Sequence, residues 1–88
     1  MKWRLDYSRD AEKFIEKQNI RGEVREELGK FLMKMKGENV NLDLKKLSGE
    51  WEGYYRLRKG RIRIIFEPNR IDKVLFVDRI DFRGGVYK

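Results

Sequence analysis

The chain has 88 residues, 40% hydrophobic and 42% charged, with 22 Lys/Arg against 15 Asp/Glu and a net charge of +7. That length is enough for one core and makes one domain over residues 1–88 the expectation. Neither cysteine nor histidine occurs, which excludes a disulfide scaffold and thiolate chemistry and removes both the usual base near neutral pH and the commonest transition-metal ligand. No metal or small-molecule cofactor is expected, and any chemistry falls to Arg, Lys, Tyr or carboxylates.

In chain order, Met-Lys-Trp-Arg-Leu-Asp is charged from the start and reads neither as a signal peptide nor as a membrane span, so a cytoplasmic protein is expected. Trp3, Leu5 and Tyr7 alternate with Lys2, Arg4 and Asp6, the period of a strand with one buried face. Ser8 then serves as an N-cap, with Ala11, Phe14, Ile15 and Gln18 on one face of a first helix. Asn19 is the candidate cap of a second helix, whose apolar face is Ile20, Val24, Leu28, Phe31, Leu32 and Met35. Its outer face carries Glu26 and Lys30 in the favourable i,i+4 order, and Gly37 is a candidate C-cap.

Residues 38–50 read as a connection with a short apolar anchor, Leu42, Leu44 and Leu47. Strand alternation resumes at Trp51, Gly53, Tyr55 and Leu57, turns at Lys59-Gly60, and returns through Ile62, Ile64 and Phe66 as far as Pro68-Asn69. The apolar run Val74-Leu75-Phe76-Val77 suggests a central strand from Lys73 to Phe82. The expected fold is α+β: two N-terminal helices packed on one face of a twisted antiparallel sheet of about four strands.

The alternation places Arg56, Arg58, Arg61 and Arg63 together on the side of the hairpin away from the core. Residues 54–88 carry ten Lys/Arg against four Asp/Glu, whereas residues 1–53 carry twelve against eleven. Almost all of the net charge therefore lies in the last 35 residues, the footprint of a polyanionic partner and first of all a nucleic acid. Antiparallel sheets commonly leave one face wet, and lysines or arginines there keep strands soluble and discourage edge pairing. Two features favour a site instead: few carboxylates are expected on the same face, and the cations are mostly Arg, whose planar fork suits phosphate. Tyr54 shares parity with the arginines and is available to stack on a base, whereas Tyr55 and both tryptophans read as packing residues. The Gly84-Gly85 pair would let Arg83 and Tyr87 bend back over the basic face. A helix-turn-helix over residues 8–37 is disfavoured by its near-neutral charge.

The run Leu44-Lys45-Lys46-Leu47-Ser48-Gly49, then Trp51-Glu52-Gly53-Tyr54-Tyr55-Arg56-Leu57-Arg58, Gly60, Arg63-Ile64-Ile65-Phe66 and finally Arg83-Gly84-Gly85-Val86-Tyr87-Lys88 resembles the RelE/ParE toxin superfamily of toxin–antitoxin systems. The resemblance covers essentially the whole chain. An arginine followed shortly by a tyrosine at the C-terminus is similar to the RelE branch, which cleaves messenger RNA in the ribosomal A site; the alternative is the ParE branch, which inhibits DNA gyrase. The RelE-like resemblance implies a metal-independent, ribosome-dependent endoribonuclease toxin that inhibits translation and is held by a cognate antitoxin. It implies catalytic roles for Arg56, Arg58, Arg63, Arg83 and Tyr87, with Lys45, Lys46, Tyr54, Lys59 and Arg61 as the surrounding RNA-binding set. The chain departs from some members in carrying Arg rather than Lys at 56 and 58, and it lacks the histidine of a related branch. Arginine does not exchange protons near neutral pH, which leaves the general base open.

Overall fold

The structure is a computed structural model and describes residues 2–82. Strand β1 (Arg4–Tyr7) leads into helices α1 (Arg9–Gln18) and α2 (Arg21–Met35), followed by β2 (Asp43–Lys46), β3 (Tyr55–Lys59), β4 (Ile62–Asn69) and β5 (Val74–Phe82). The five strands form one sheet in the order β1-β5-β4-β3-β2. Two expectations change here. The sheet is mixed, because β1 runs parallel to β5 while every other pair is antiparallel. A fifth strand, β2, also forms inside the segment expected to be a connection. It lacks a sequence signature because only Leu44, paired with Leu57, contributes an inward apolar residue to its four positions.

Ser8 links the first strand, first helix and last strand. Its hydroxyl accepts from the Ala11 amide at 3.1 Å, capping α1 as expected, and donates to the Asp78 carbonyl at 2.7 Å. Asp78 is the extra residue of a bulge in β5: the register passes from Ile65↔Arg79 to Phe66↔Val77. At the other end of α1, Asn19 takes a left-handed conformation (φ 57°) and closes that helix; it does not cap α2, whose N-cap is Ile20 without a side-chain bond. The Arg21 guanidinium and Glu12 carboxylate instead tie the two helices together. The C-terminus of α2 is a Schellman turn: Glu38 N donates to Met33 O and Gly37 N to Lys34 O, with Gly37 at φ +96°.

The core lies between the helix pair and one face of the sheet. Ile15, Val24, Leu28 and Phe31 meet Leu57, Ile64, Phe66, Leu75, Val77 and Ile80. Phe31 packs edge-on to Phe66 with centroids 4.8 Å apart, and Tyr55 stacks on Phe66 at 5.8 Å. One charged residue lies in this layer: Glu27 of α2 is only 4% exposed and sits 3.3 Å from the Lys30 ammonium and 3.6 Å from that of Lys59. Lys30 thus pairs with Glu27 three residues away, not with Glu26. The strand expected from Trp51 begins four residues later, at Tyr55. Gly49 (φ +68°) and Gly53 (φ +94°) interrupt the extended backbone, and a 3-10 turn occupies Gly49–Trp51.

The packing separates core residues from face residues one position apart. Ile64→Ala should lower the unfolding free energy by about 2–5 kcal/mol in a denaturant melt, since Ile64 is fully buried. Arg63→Ala, facing the other way, should cost about 1 kcal/mol or less.

Candidate nucleic-acid interface

Burying Leu57 and Ile64 obliges their neighbours to point to the opposite side of the sheet. Arg58 sits directly across from Arg63, and Lys45 across from Arg56. The β3–β4 hairpin turns in two residues, with Gly60 at φ +58° in the first of them, and this tight closure sets the register. Of the sequence-derived candidates, the structure therefore brings together Lys45, Arg56, Arg58 and Arg63. Lys46 shares a pairing position with inward-facing Tyr55 and is exposed at the sheet edge.

Two candidates lie elsewhere. Lys59 reaches to the helix side of the sheet, where it pairs with Glu27. Arg61 sits in the hairpin turn, its guanidinium 4.3 Å from the centroid of Phe82, whose ring packs on Phe14 of α1. Strand parity fails for Arg61 because it belongs to the turn and follows no strand alternation. Arg83 and Tyr87 lie outside the described residues.

The expected scarcity of carboxylates on the arginine face is also corrected. Asp43 of β2 bridges two arginines, with Arg56 Nη2 at 3.2 Å and Arg58 Nε at 3.1 Å. Asp81 of β5 receives Arg63 in bidentate fashion, Nε at 2.9 Å and Nη2 at 3.1 Å. Both carboxylates come from strands flanking the hairpin, so sequence distance concealed them. The enclosed Arg56 Nε–H has no hydrogen-bond partner among the described residues.

Trp51, read from the sequence as packing, opens onto the same face. With Leu47, Arg56, Arg63, Ile65, Arg79 and Asp81 it lines a concavity of about 210 Å³. The Tyr54 ring meets Trp51 edge-on, centroids 5.1 Å apart, and Arg79 lies 5.8 Å over the indole. Arg79 was missed because the β5 bulge, absent from simple alternation, sets its place beside Ile65. A larger concavity, about 560 Å³, lies at the β4–β5 turn beside β1. Arg4 and Arg70 there are matched by Asp6, Glu67 and Asp72, so it lacks the one-signed field that a polyanion needs.

Arginines remain protonated at every physiological pH, so Arg56, Arg58 and Arg63 can hold, orient and stabilise negative charge but not shuttle protons. Tyr54 is no readier to ionise. Its pKa is raised, first by burial and then by the nearby Glu67 and Asp78 carboxylates.

No family model and no curated protein sequence matches the chain. Solved structures do. A chain of the toxin–antitoxin complex RelBE2 from Mycobacterium tuberculosis is 18% identical over 94% of this chain and 100% of that one, with a TM-score of 0.68. A chain of the archaeal RelE–RelB complex from Pyrococcus horikoshii is 26% identical over 98% of this chain and 100% of that one, at 0.61. YafQ from Escherichia coli is 16% identical over 99% and 100% of the two chains, at 0.58. The chain thus has the fold of the RelE-like toxins.

Two outcomes are expected from the electrostatics. Asp43→Asn should leave Arg56 and Arg58 without their shared anion, so that the variant elutes from a heparin column at higher salt than the parent. Tyr54 should titrate above the ordinary tyrosine range because its raised pKa favours the neutral phenol; the Tyr54→Phe difference spectrum in an alkaline titration reads this directly.

Proposed function

We propose that this chain is the toxin of a type II toxin–antitoxin system and that it inhibits translation as an endoribonuclease, cutting messenger RNA in the ribosomal A site. The observation that carries the reading is the placement of Arg56, Arg58 and Arg63 as adjacent forks on a rigid sheet face, within a RelE-like fold. The complexes of RelE with RelB from Pyrococcus horikoshii and of RelBE2 from Mycobacterium tuberculosis support a cognate antitoxin as the protein partner. A ribosomal substrate places the activity in the cytoplasm.

The proposed reaction breaks the bond between phosphorus and the 5′-oxygen. The neighbouring 2′-oxygen attacks the phosphorus in line, its proton leaves to a base, and the departing 5′-oxygen takes up a proton, leaving a 2′,3′-cyclic phosphate. Negative charge grows on the non-bridging oxygens, and Arg63 and Arg83 are the candidates for stabilising it. Arg56 and Arg58 neutralise and position the backbone, with Lys45 and Tyr54 beside them; Lys46 at the sheet edge meets RNA further from the reacting phosphate. Tyr87 is the candidate for orienting or deprotonating the 2′-hydroxyl. A surface of fixed cations acts mainly by positioning, so free RNA is expected to be a poor substrate and the ribosome to complete the site.

Purified protein added to programmed ribosomes should cut the message in the A site, as read by mapping mRNA ends. Arg63→Ala should lower the cleavage rate by about 10²–10³-fold, the usual cost of one donor to a developing oxyanion. Tyr87→Phe, which keeps the ring and removes only the hydroxyl, should lose cleavage while retaining antitoxin binding. Inhibition of gyrase supercoiling without mRNA cleavage would replace this reading with the ParE-like one.

A further inference from the structure

We infer that the concavity between Trp51 and Arg79 is a subsite for one unpaired nucleobase of the RNA strand whose phosphates Arg56 and Arg63 hold; this rests on the RNA reading above. The lining has the two chemistries that a nucleotide combines. Leu47 and Ile65 supply apolar walls, Trp51 supplies an indole with the Arg79 guanidinium 5.8 Å over it, and Arg56 and Arg63 complete the lining as cations, Arg63 paired there with Asp81. Every base has a π face, so an indole with a neighbouring guanidinium is a sequence-tolerant stacking platform.

Size and rigidity agree with this occupant. A space of about 210 Å³ is smaller than the roughly 300–1,000 Å³ of pockets that enclose a drug-sized ligand, and it suits a single ring system. Tyr54 braces Trp51 edge-on, and the β5 bulge, held by Ser8 through the Asp78 carbonyl, fixes the backbone from which Arg79 projects. Single-stranded RNA presents a base and a phosphate one bond network apart; a duplex keeps its bases stacked inside. The occupant is therefore a base of an unpaired strand.

The chain has two tryptophans, so in a Trp3→Phe background the fluorescence reports Trp51 alone. Uridine and adenosine monophosphates at low salt should quench that signal, whereas ribose 5-phosphate, which carries the same phosphate without a base, should not. Trp51→Ala should weaken binding of a short single-stranded RNA by about ten-fold, with an unchanged salt slope, and Trp51→Phe should restore most of it. Arg56→Ala should lower both affinity and slope. Thermal melts of each variant establish that the fold persists. Equal responses to nucleotide and ribose 5-phosphate, with undiminished RNA binding by Trp51→Ala, would overturn the base subsite while leaving the RNA reading standing. Failure of the parent to bind RNA or to cleave on ribosomes would overturn both. A Trp51 signal that answers only to an added antitoxin, or only to deletion of residues 83–88, would assign the concavity to a protein side chain and overturn the proposal.

Discussion

Two guanidiniums directly opposite each other on an antiparallel pair repel, and Arg58 stands opposite Arg63 on this sheet's open face, one pair in from the hairpin turn. The hairpin tolerates the pairing because each flanking strand delivers one carboxylate, Asp43 from β2 and Asp81 from β5. This explains why so short an edge strand as β2 has a place in the fold. Its single inward apolar residue, Leu44, adds little to the core, but its outward Asp43 spans the two arginines of β3. The core and the cationic face are consequences of the same register. Moving β3 by one residue would expose Leu57 and bury Arg56 or Arg58, so the hydrophobic effect keeps the charges where they are.

The neutralised arrangement also determines how an anion would be received. These ion pairs are partly exposed, and pairs of that kind contribute little to stability, so a phosphate arriving at the face would exchange with a carboxylate at small cost. The exchange is between anions on a fork already aligned by its strand, which limits the side-chain entropy lost on binding. The internal carboxylates at the same time reduce affinity for any stray polyanion. Geometry, and the density of phosphate presented by the partner, then decide occupancy more than net charge alone.

Elements with long, clean periodicity were legible in the sequence: α1 with its Ser8 cap, the apolar face of α2, the β3–β4 hairpin and the buried run of β5. What was not legible depended on partners distant in sequence. The parallel pairing of β1 with β5 leaves no local mark, β2 is too short to show a period, and the bulge at Asp78 shifts parity midway along a strand. Asn19 was read as the cap of α2, and its left-handed backbone made it the end of α1 instead. At the site, the alternation of Arg56, Arg58 and Arg63 was readable because burial of Leu57 and Ile64 enforces it. Trp51, Arg79 and the two carboxylates were not, because a 3-10 turn, a bulge and cross-strand neighbours place them. Glu27 carried no local mark either, because its partner Lys59 comes from the sheet.

Under the proposed reading, the division of labour follows from the acid–base properties of the face. Apart from Lys45, its cations are arginines, which stabilise charge but do not release protons near neutral pH. Tyr54, the hydroxyl beside them, is held in its protonated form by burial and by the carboxylates of Glu67 and Asp78. The open face of the sheet is thus suited to gripping the backbone and to stabilising charge in the transition state, both of which need fixed donors that do not change state during the reaction. Proton transfer is a separate task. It belongs to Tyr87 or to groups on the assembly that carries the message, and a toxin so divided stays inert towards RNA until its substrate arrives already positioned. That dependence on a second component is a form of specificity built from chemistry the isolated face does not have.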